Sequence, residues 1–377
     1  MRFAPTEDET MVEDTLDRLL ADAEARAPRG PEGAAPMPDA AALRATLAEL
    51  GLWGAWLPER LGGSDGGPRM LMTLARGLGR RPSRSGFLES CVLGGAILAR
   101  SGAPEARALA TRLAAGEAVA AAALLEPGRR WALDPAAVVA APDGDGVALS
   151  GTKAHVALGG EAEALLVSAA EPSGPALFLV PADAPGLSVD AWTSVDGAAF
   201  ATVRLEGVRA PASARILAGP GALSALEDAH AVTGFAMAAE VLGACETCLS
   251  RTVDYLRTRE QFGRPLGRNQ ALQHRCADLH SEIEMLRSQV LGAAAALDRG
   301  VPRDARADVA AAAAMAVEIG DLAGREAIHL HGAIGMTREL GIGRHLMRVD
   351  TLARWLGDAR AWRDVFLDAT LDEEAAA

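Results

Sequence analysis

Lysine is almost absent from this chain of 377 residues, cysteine is scarce, and no apolar run reaches membrane length. Each shortage excludes something. A face that binds nucleic acid gathers lysine and arginine to displace counterions, and a net charge of -13 argues against one. Cys91, Cys245, Cys248 and Cys276 are the four cysteines, three of them on apolar faces of predicted helices, and they read as reduced core residues. Cys245 and Cys248 form a C-x-x-C in mid-helix with no second pair and no histidine set nearby, so no zinc, redox or other metal site is expected. The alanine run from Ala310 to Ala314 lies between Asp308 and Glu318 and is too short to cross a bilayer. The residues before Met11 are acidic and lack the basic start of a secretory leader. A cytoplasmic protein with no membrane contact is expected.

The chain does have helix-forming composition and a clear change of period. Its 50% apolar content is largely alanine. Its length exceeds one ordinary domain. Residues 1–122 read as an N-terminal helical domain with helices over Glu7–Ala23, Asp39–Leu50, Arg69–Leu78, Gly86–Ala99 and Pro104–Ala114. The Pro/Gly-rich stretch Ala27–Pro38 reads as a loop and Pro58–Gly67 as a glycine-rich turn. Residues 123–221 carry short β-branched runs over Ala136–Ala140, Val147–Gly151, Ala164–Ala169, Ala176–Val180 and Phe200–Leu205, spaced as in a small antiparallel β domain. Residues 222–377 return to a helical period. Leu242, Cys245, Leu249 and Leu256 mark one stripe, and Leu272, Cys276, Leu279, Ile283, Leu286 and Val290 another, as in a helical bundle whose seam also suits subunit contacts. The fold class is α+β, mostly α.

Between those two stripes lies RTREQFGRPLG, from Arg257 to Gly267. Gly263, Pro265 and Gly267 at alternate positions end the helix in a turn. Arg257, Arg259 and Arg264 on that turn suit a phosphate or pyrophosphate, whose oxygens match the guanidinium fork. A solvated basic helix end that complements the helix dipole is the plain alternative.

Read together with LLEPG at Leu124–Gly128, GTKAHVALGG at Gly151–Gly160 and HLHGAIG from His329, the turn resembles the acyl-CoA dehydrogenase family over nearly the whole chain. EPGRRW and GTKAHV are most similar to small subunits of pimeloyl-CoA dehydrogenases. The resemblance implies an N-terminal helical domain, a central β domain and a C-terminal four-helix bundle. It also implies FAD-dependent α,β-dehydrogenation of an acyl-CoA, in which a carboxylate takes the α proton and hydride leaves the β carbon for the flavin. Electron-transfer flavoprotein is the implied electron acceptor, and a homo- or heterotetramer the implied assembly. Arg259, Gln261 and Phe262 would contact FAD held mainly by a neighbouring subunit, and His329, Gly332, Ala333 and Gly335 would wrap its adenosine side. The two histidines of that segment, His329 and His331, read equally as an ordinary pair at a helix end.

The chain departs from the family pattern where the chemistry lies. Flavin-facing hydroxyl and aromatic positions hold Leu125, His155 and Ala157, and Trp131 replaces a serine. Leu356-Gly357-Asp358 stands at one site of the family's catalytic glutamate and Thr233 at the other. Candidate replacement bases are Asp358, Glu240 and Asp228, each with a structural alternative: a helix cap, an ion pair, a favourable charge at a helix start. Arg348 and Asp350 resemble a structural arginine-aspartate pair, and Arg129 and Arg130 could meet the distal carboxylate of a dicarboxylyl-CoA. Three functions fit: an acyl-CoA dehydrogenase acting as one subunit of a heteromer, a non-catalytic subunit that completes a partner's FAD site, or another flavin-dependent oxidation on the same fold.

Overall fold

The computed structural model describes residues 4–30, 33–300 and 302–376. Pro31 and Glu32 of the Ala27–Pro38 loop lie outside them. The chain divides into two compact units that interleave along the sequence. One holds residues 1–40, 68–84 and 234–377; the other holds 41–67 and 85–233.

The first unit is helical. α1 (Glu7–Arg26) begins at a capping box, in which the Thr6 hydroxyl accepts the Glu9 amide and the Glu9 carboxylate accepts the Thr6 amide. Arg69 of α3 (Gly67–Arg80) grips the same carboxylate at 2.7 Å, tying the cap to a second helix. α3 crosses α6 (Pro220–Thr258) at backbone contact. A Cβ on Gly79 would stand 1.8 Å from the Glu240 carbonyl oxygen, and one on Gly243 2.0 Å from that of Arg76. Only glycine permits this approach. α7 (Gln270–Leu297), α8 (Arg306–His331), α9 (Gly343–Leu356) and α10 (Ala359–Ala376) complete the bundle, with α8 packing on α7, α9 and α10.

The expected seams are shifted slightly. On α6 the buried positions are Leu242, Cys245, Cys248 and Leu256, with Leu249 only half-buried, because the 3.6-residue period carries the stripe to Cys248. On α7, Leu279, Ile283, Leu286 and Val290 are buried, while Leu272 and Cys276 at its start are half-buried. All four cysteines are free thiols. α6 is long and apolar enough to cross a membrane, but 78% of its most apolar stretch is buried, as in a core helix.

The second unit is built on an eight-stranded sheet ordered β6-β7-β3-β2-β4-β5-β8, with β1 beside β4. Its strands are β1 (Ala120–Ala123), β2 (Val139–Asp143), β3 (Gly146–Ala157), β4 (Ala164–Glu171), β5 (Gly174–Pro181), β6 (Leu187–Thr193), β7 (Ala199–Ala210) and β8 (Arg215–Ala218). Hairpins give antiparallel pairs, and the register sets Leu149 opposite Val208 and Val167 opposite Phe178 in the core. The sheet is nevertheless mixed, because β1 and β2 both run parallel to β4. Turn signals predict hairpins, whereas a parallel pair needs a longer connection that leaves no local mark. α2 (Ala40–Glu49), α4 (Leu93–Ala99) and α5 (Pro104–Ala114) belong to this unit, and a π-helical segment, Phe87–Val92, leads into α4.

Candidate functional site

α6 ends in a two-stranded ribbon, β9 (Glu260–Gln261) against β10 (Arg264–Pro265). Phe262 sits at its tip at φ 55°, with 95% of its surface exposed. A phenyl ring in water and a left-handed backbone are both unfavourable, so the tip is built for something outside this fold unit. Arg259 is exposed, and its guanidinium has no acceptor among the described residues. Gln261 donates only to the neighbouring Glu260 carbonyl, at 2.9 Å. Arg264 is spent on the turn, donating to the Asn269 side chain at 2.7 Å. An open guanidinium beside an open aromatic ring fits the pyrophosphate and ring system of a flavin dinucleotide.

The loop after α8 is joined to this turn. Tyr255, whose carbonyl accepts the Arg259 amide at 2.8 Å, stacks on His331 with ring centroids 4.6 Å apart. His331 is buried and its Nδ1 lies 2.7 Å from the Ala327 carbonyl, so that nitrogen carries the proton; burial pushes the ring's pKa down. His329 is engaged from α7, its Nδ1 3.0 Å from Arg275, which also pairs with Glu326 at 2.6 Å. Gly332 is exposed at φ 68° with nothing within 4 Å of a Cβ position, and Ala333 is exposed beside it. Gly335 is buried, and a Cβ there would stand 2.3 Å from the Ile328 carbonyl oxygen. Gly332 and Ala333 therefore offer open backbone, while Gly335 serves the packing of its own turn.

At one expected base position, Gly357, and at Gly234, the residue after the other, the structure sets the same side chain, Trp362. Gly357 stands at φ 134°, and a Cβ on it would lie 3.0 Å from the indole Nε1. Gly234, beside Thr233, would place a Cβ 2.4 Å from the far edge of the same ring. Trp362 is 1% exposed. Thr233 is buried and donates its hydroxyl to the Ala229 carbonyl at 2.7 Å. The candidate carboxylates are each engaged. Asp358 is exposed and accepts the Ala361 amide at 2.8 Å, capping α10. Glu240 is gripped by Arg348 at 2.6 and 3.2 Å, and Asp228 pairs with Arg100 at 3.3 Å. Arg348 thus serves Glu240, while Asp350 pairs with Arg354 at 2.9 Å.

In the sheet unit the altered flavin-facing positions supply no hydroxyl. Leu125 and Ala157 are buried, and His155 projects from a bulge of β3 at φ 51°, edge-on to Trp192, which stacks on Phe200. The EPG and GTK motifs serve a different purpose, one that sequence reasoning missed. Lys153, the one lysine of the sequence, is fully buried and donates to the Glu126 carboxylate at 2.9 Å, to Ser168 at 2.9 Å and to the Leu124 carbonyl at 3.0 Å. Glu126 also accepts the amides of Ala136, Ala137 and Val138. Burial pushes the Glu126 carboxyl up, but the amides of Ala137 and Val138 and the ammonium outweigh it and hold it at about 2. Burial takes Lys153 down to about 8 against the pull of Glu126. The signal in the sequence was a solitary lysine inside a strand pattern, facing an acidic residue in another motif.

A bundle that carries an open arginine-aromatic turn, together with a mixed sheet unit, defines a flavoprotein dehydrogenase architecture. Residues 224–366 match the family described as acyl-CoA dehydrogenase, C-terminal domain. The chain is 31% identical to acyl-CoA dehydrogenase FadE27 of Mycobacterium tuberculosis over 83% of both chains, and 28% identical to the human mitochondrial short-chain specific acyl-CoA dehydrogenase over 78% of this chain and 74% of that one. Among solved structures it resembles the ChsE4-ChsE5 complex of Mycobacterium tuberculosis, with TM-score 0.86, 28% identity and coverage of 100% and 99%. It also resembles a variant of the Tcur3481-Tcur3483 steroid ACAD, with TM-score 0.85, 34% identity and coverage of 98% and 99%. The chain belongs to the acyl-CoA dehydrogenase family, FAD-dependent oxidoreductases acting on acyl-CoA thioesters.

Proposed function

We propose that this chain is the subunit of a heteromeric acyl-CoA dehydrogenase that contacts FAD through its arginine turn, while a second kind of subunit supplies the catalytic carboxylate. The observation that carries this reading is Trp362 packed against Gly357, at one of the family's base positions, and against Gly234, next to Thr233 at the other. When bound, FAD supplies the acceptor for the hydride from the β carbon. Arg259 would hold its pyrophosphate, Phe262 and Gln261 its nucleotide, and Gly332 and Ala333 the adenosine side; His329 and Gly335, already engaged in their own fold, would shape that loop from within. Loss of a general base costs roughly 10²- to 10⁴-fold, so a chain with its carboxylates capped or paired needs a partner for proton abstraction. The two structures named for paired chains, the ChsE4-ChsE5 complex and the Tcur3481-Tcur3483 steroid ACAD, support a heteromer.

The acyl group is proposed to be bulky and uncharged, in line with the steroid named for the second of these. A dicarboxylyl-CoA, as in the pimeloyl-CoA relatives, would need a free cation for its distal carboxylate. Arg129 is already held by Asp134 at 3.0 Å and lies 3.6 Å from Glu126, which leaves only Arg130. Electron-transfer flavoprotein is the proposed acceptor and the cytoplasm the proposed location. The test is anaerobic addition of steroid-bearing, pimeloyl and straight-chain acyl-CoAs to the chain alone and to the chain assembled with its partner. Flavin bleaching by the assembled protein only is the expected result. Rapid bleaching of the chain purified alone would overturn the reading.

A further inference from the structure

Tyr255, the one tyrosine of the sequence, lies on the last turn of α6 and links the arginine turn to the loop after α8. Its carbonyl accepts the Arg259 amide at 2.8 Å, and the Arg259 carbonyl accepts the Leu266 amide at 2.8 Å, so the backbone of the arginine turn closes directly on this residue. Its ring stacks on the His331 imidazole, 4.6 Å between centroids and 30° between planes. His331 ends α8, and the turn Gly332–Met336 starts from it. The imidazole is fixed in its turn by Nδ1, which donates to the Ala327 carbonyl at 2.7 Å, four residues earlier on α8. Gly335 folds the loop back onto the helix, since a Cβ there would stand 2.3 Å from the Ile328 carbonyl oxygen and 3.1 Å from the His331 Cβ. Arg259 is thus hydrogen-bonded to one member of the stacked pair, and Gly332 is the chain neighbour of the other.

The rings are not what anchors α6. Thr252 and Leu256, on the buried side of the helix, do that: both are buried, and the Thr252 hydroxyl donates to the Cys248 carbonyl at 2.7 Å. Tyr255 is half-buried, and its hydroxyl has no hydrogen-bond partner among the described residues. Two further ties hold the segment after α8, Arg275 of α7 on His329 at 3.0 Å and Arg251 of α6 on the Leu340 carbonyl at 2.9 Å. Neither starts from the arginine turn. Stacked aromatic rings are favourable over a narrow range of separation and offset, so this pair fixes where the loop stands relative to the turn.

We infer that Tyr255 and His331 are positioning residues for FAD. Their stack sets the arginine turn and the loop after α8 against each other, so that the pyrophosphate contact at Arg259 and the adenosine contact at Gly332 and Ala333 form together. Both act through those neighbours. The inference rests on the reading of Arg259 as a cofactor contact. The test is release of FAD from the FAD-loaded assembly on dilution, followed by flavin fluorescence, with thermal unfolding and sedimentation of each variant alongside. Tyr255→Leu and His331→Leu, one from each side of the stack, should each speed release roughly three- to tenfold. The double variant should be no faster than either alone, because one contact is lost in all three. Tyr255→Phe and His331→Phe keep the rings and should release FAD within about twofold of the native rate. Arg259→Gln should speed release less in the Tyr255→Leu background than in the native one, by at least about threefold, whereas a residue that only supports the fold leaves that effect unchanged. Native retention by folded Tyr255→Leu and His331→Leu, losses that multiply with Arg259→Gln, or phenylalanine variants as leaky as the leucine ones would each overturn the inference. A Tyr255→Leu chain that sediments as a smaller assembly would overturn it too, by making the residue a subunit contact. Native retention by Arg259→Gln alone would instead overturn the cofactor reading of the turn, and this inference with it.

Discussion

The indole Nε1 of Trp362 stands 3.0 Å from where Gly357 would carry a Cβ, at a backbone φ of 134° that side chains rarely adopt. Restoring the family's glutamate by Gly357→Glu therefore does not restore a base. It adds strain and displaces a ring that is 1% exposed. The expected loss of stability is about 2 kcal/mol or more. Thermal unfolding of the variant, with flavin bleaching by an acyl-CoA as the second readout, checks this. A stable variant that bleaches without a partner would show that the ring yields.

Glu126 and Lys153 join the EPG motif to β3 inside the sheet unit, and both side chains are almost fully buried. Replacing the ammonium by Lys153→Met leaves the buried carboxylate with its three amides and, at 3.6 Å, the Arg129 guanidinium, an expected cost of about 3 kcal/mol. The pH dependence has a definite sign. With the folded pKa at about 2, against 4.5 for the free carboxyl, the stabilisation is fully present above the unfolded value and is lost as pH falls from about 4.5 towards 2. Acid unfolding of Glu126→Gln should show a shallower slope in that window. An identical slope would mean that other carboxylates set the acid limb.

Much of this was legible in the sequence because it rests on local rules. Pro104 at a helix start and the Thr6 and Glu9 capping pair place helices nearly where they occur. β1 was hidden because four alanines carry no strand signal and their pairing with β4 lies over forty residues away. β6 was hidden because its outer half is exposed at the sheet edge. The absence of a glutamate at 357 and 233 could be read directly, whereas the tryptophan packed against Gly357 and Gly234 could not, since Gly234 and Trp362 meet only through the packing of α6 on α10. The partner of Lys153 was hidden in the same way.

Glu246 is a hub that joins three helices through guanidinium groups. Arg76 reaches it at 2.9 Å and Arg80 at 3.3 Å from α3, and Arg287 at 3.0 Å from α7, while the same α3 arginines hold Glu13 and Asp17 of α1. The Glu246 side chain is 15% exposed, so water screens it little. Glu246→Gln is expected to cost about 1–3 kcal/mol. Arg76→Gln should then cost less in that background than in the native protein, a coupling that a double-mutant cycle measures. Additive losses would mean that the arginines are held by Glu13 and Asp17 alone.

Phe262 and Arg259 can be tested without disturbing the fold, because neither packs within the unit that carries them. Phe262 is 95% exposed, and its removal takes no apolar surface out of a core. Phe262→Ala and Arg259→Gln should therefore leave the thermal unfolding of the isolated chain unchanged within about 0.5 kcal/mol. In the assembled protein each should weaken FAD retention. A charge-assisted hydrogen bond contributes about 1.5–3 kcal/mol, which for Arg259 corresponds to roughly ten- to a hundredfold faster loss of flavin on dilution. Fluorescence of released FAD follows this directly. If both variants retained FAD as the native assembly does, the turn would have to serve subunit contact rather than the cofactor, and a shift in oligomeric state on sedimentation would then accompany the Phe262→Ala change.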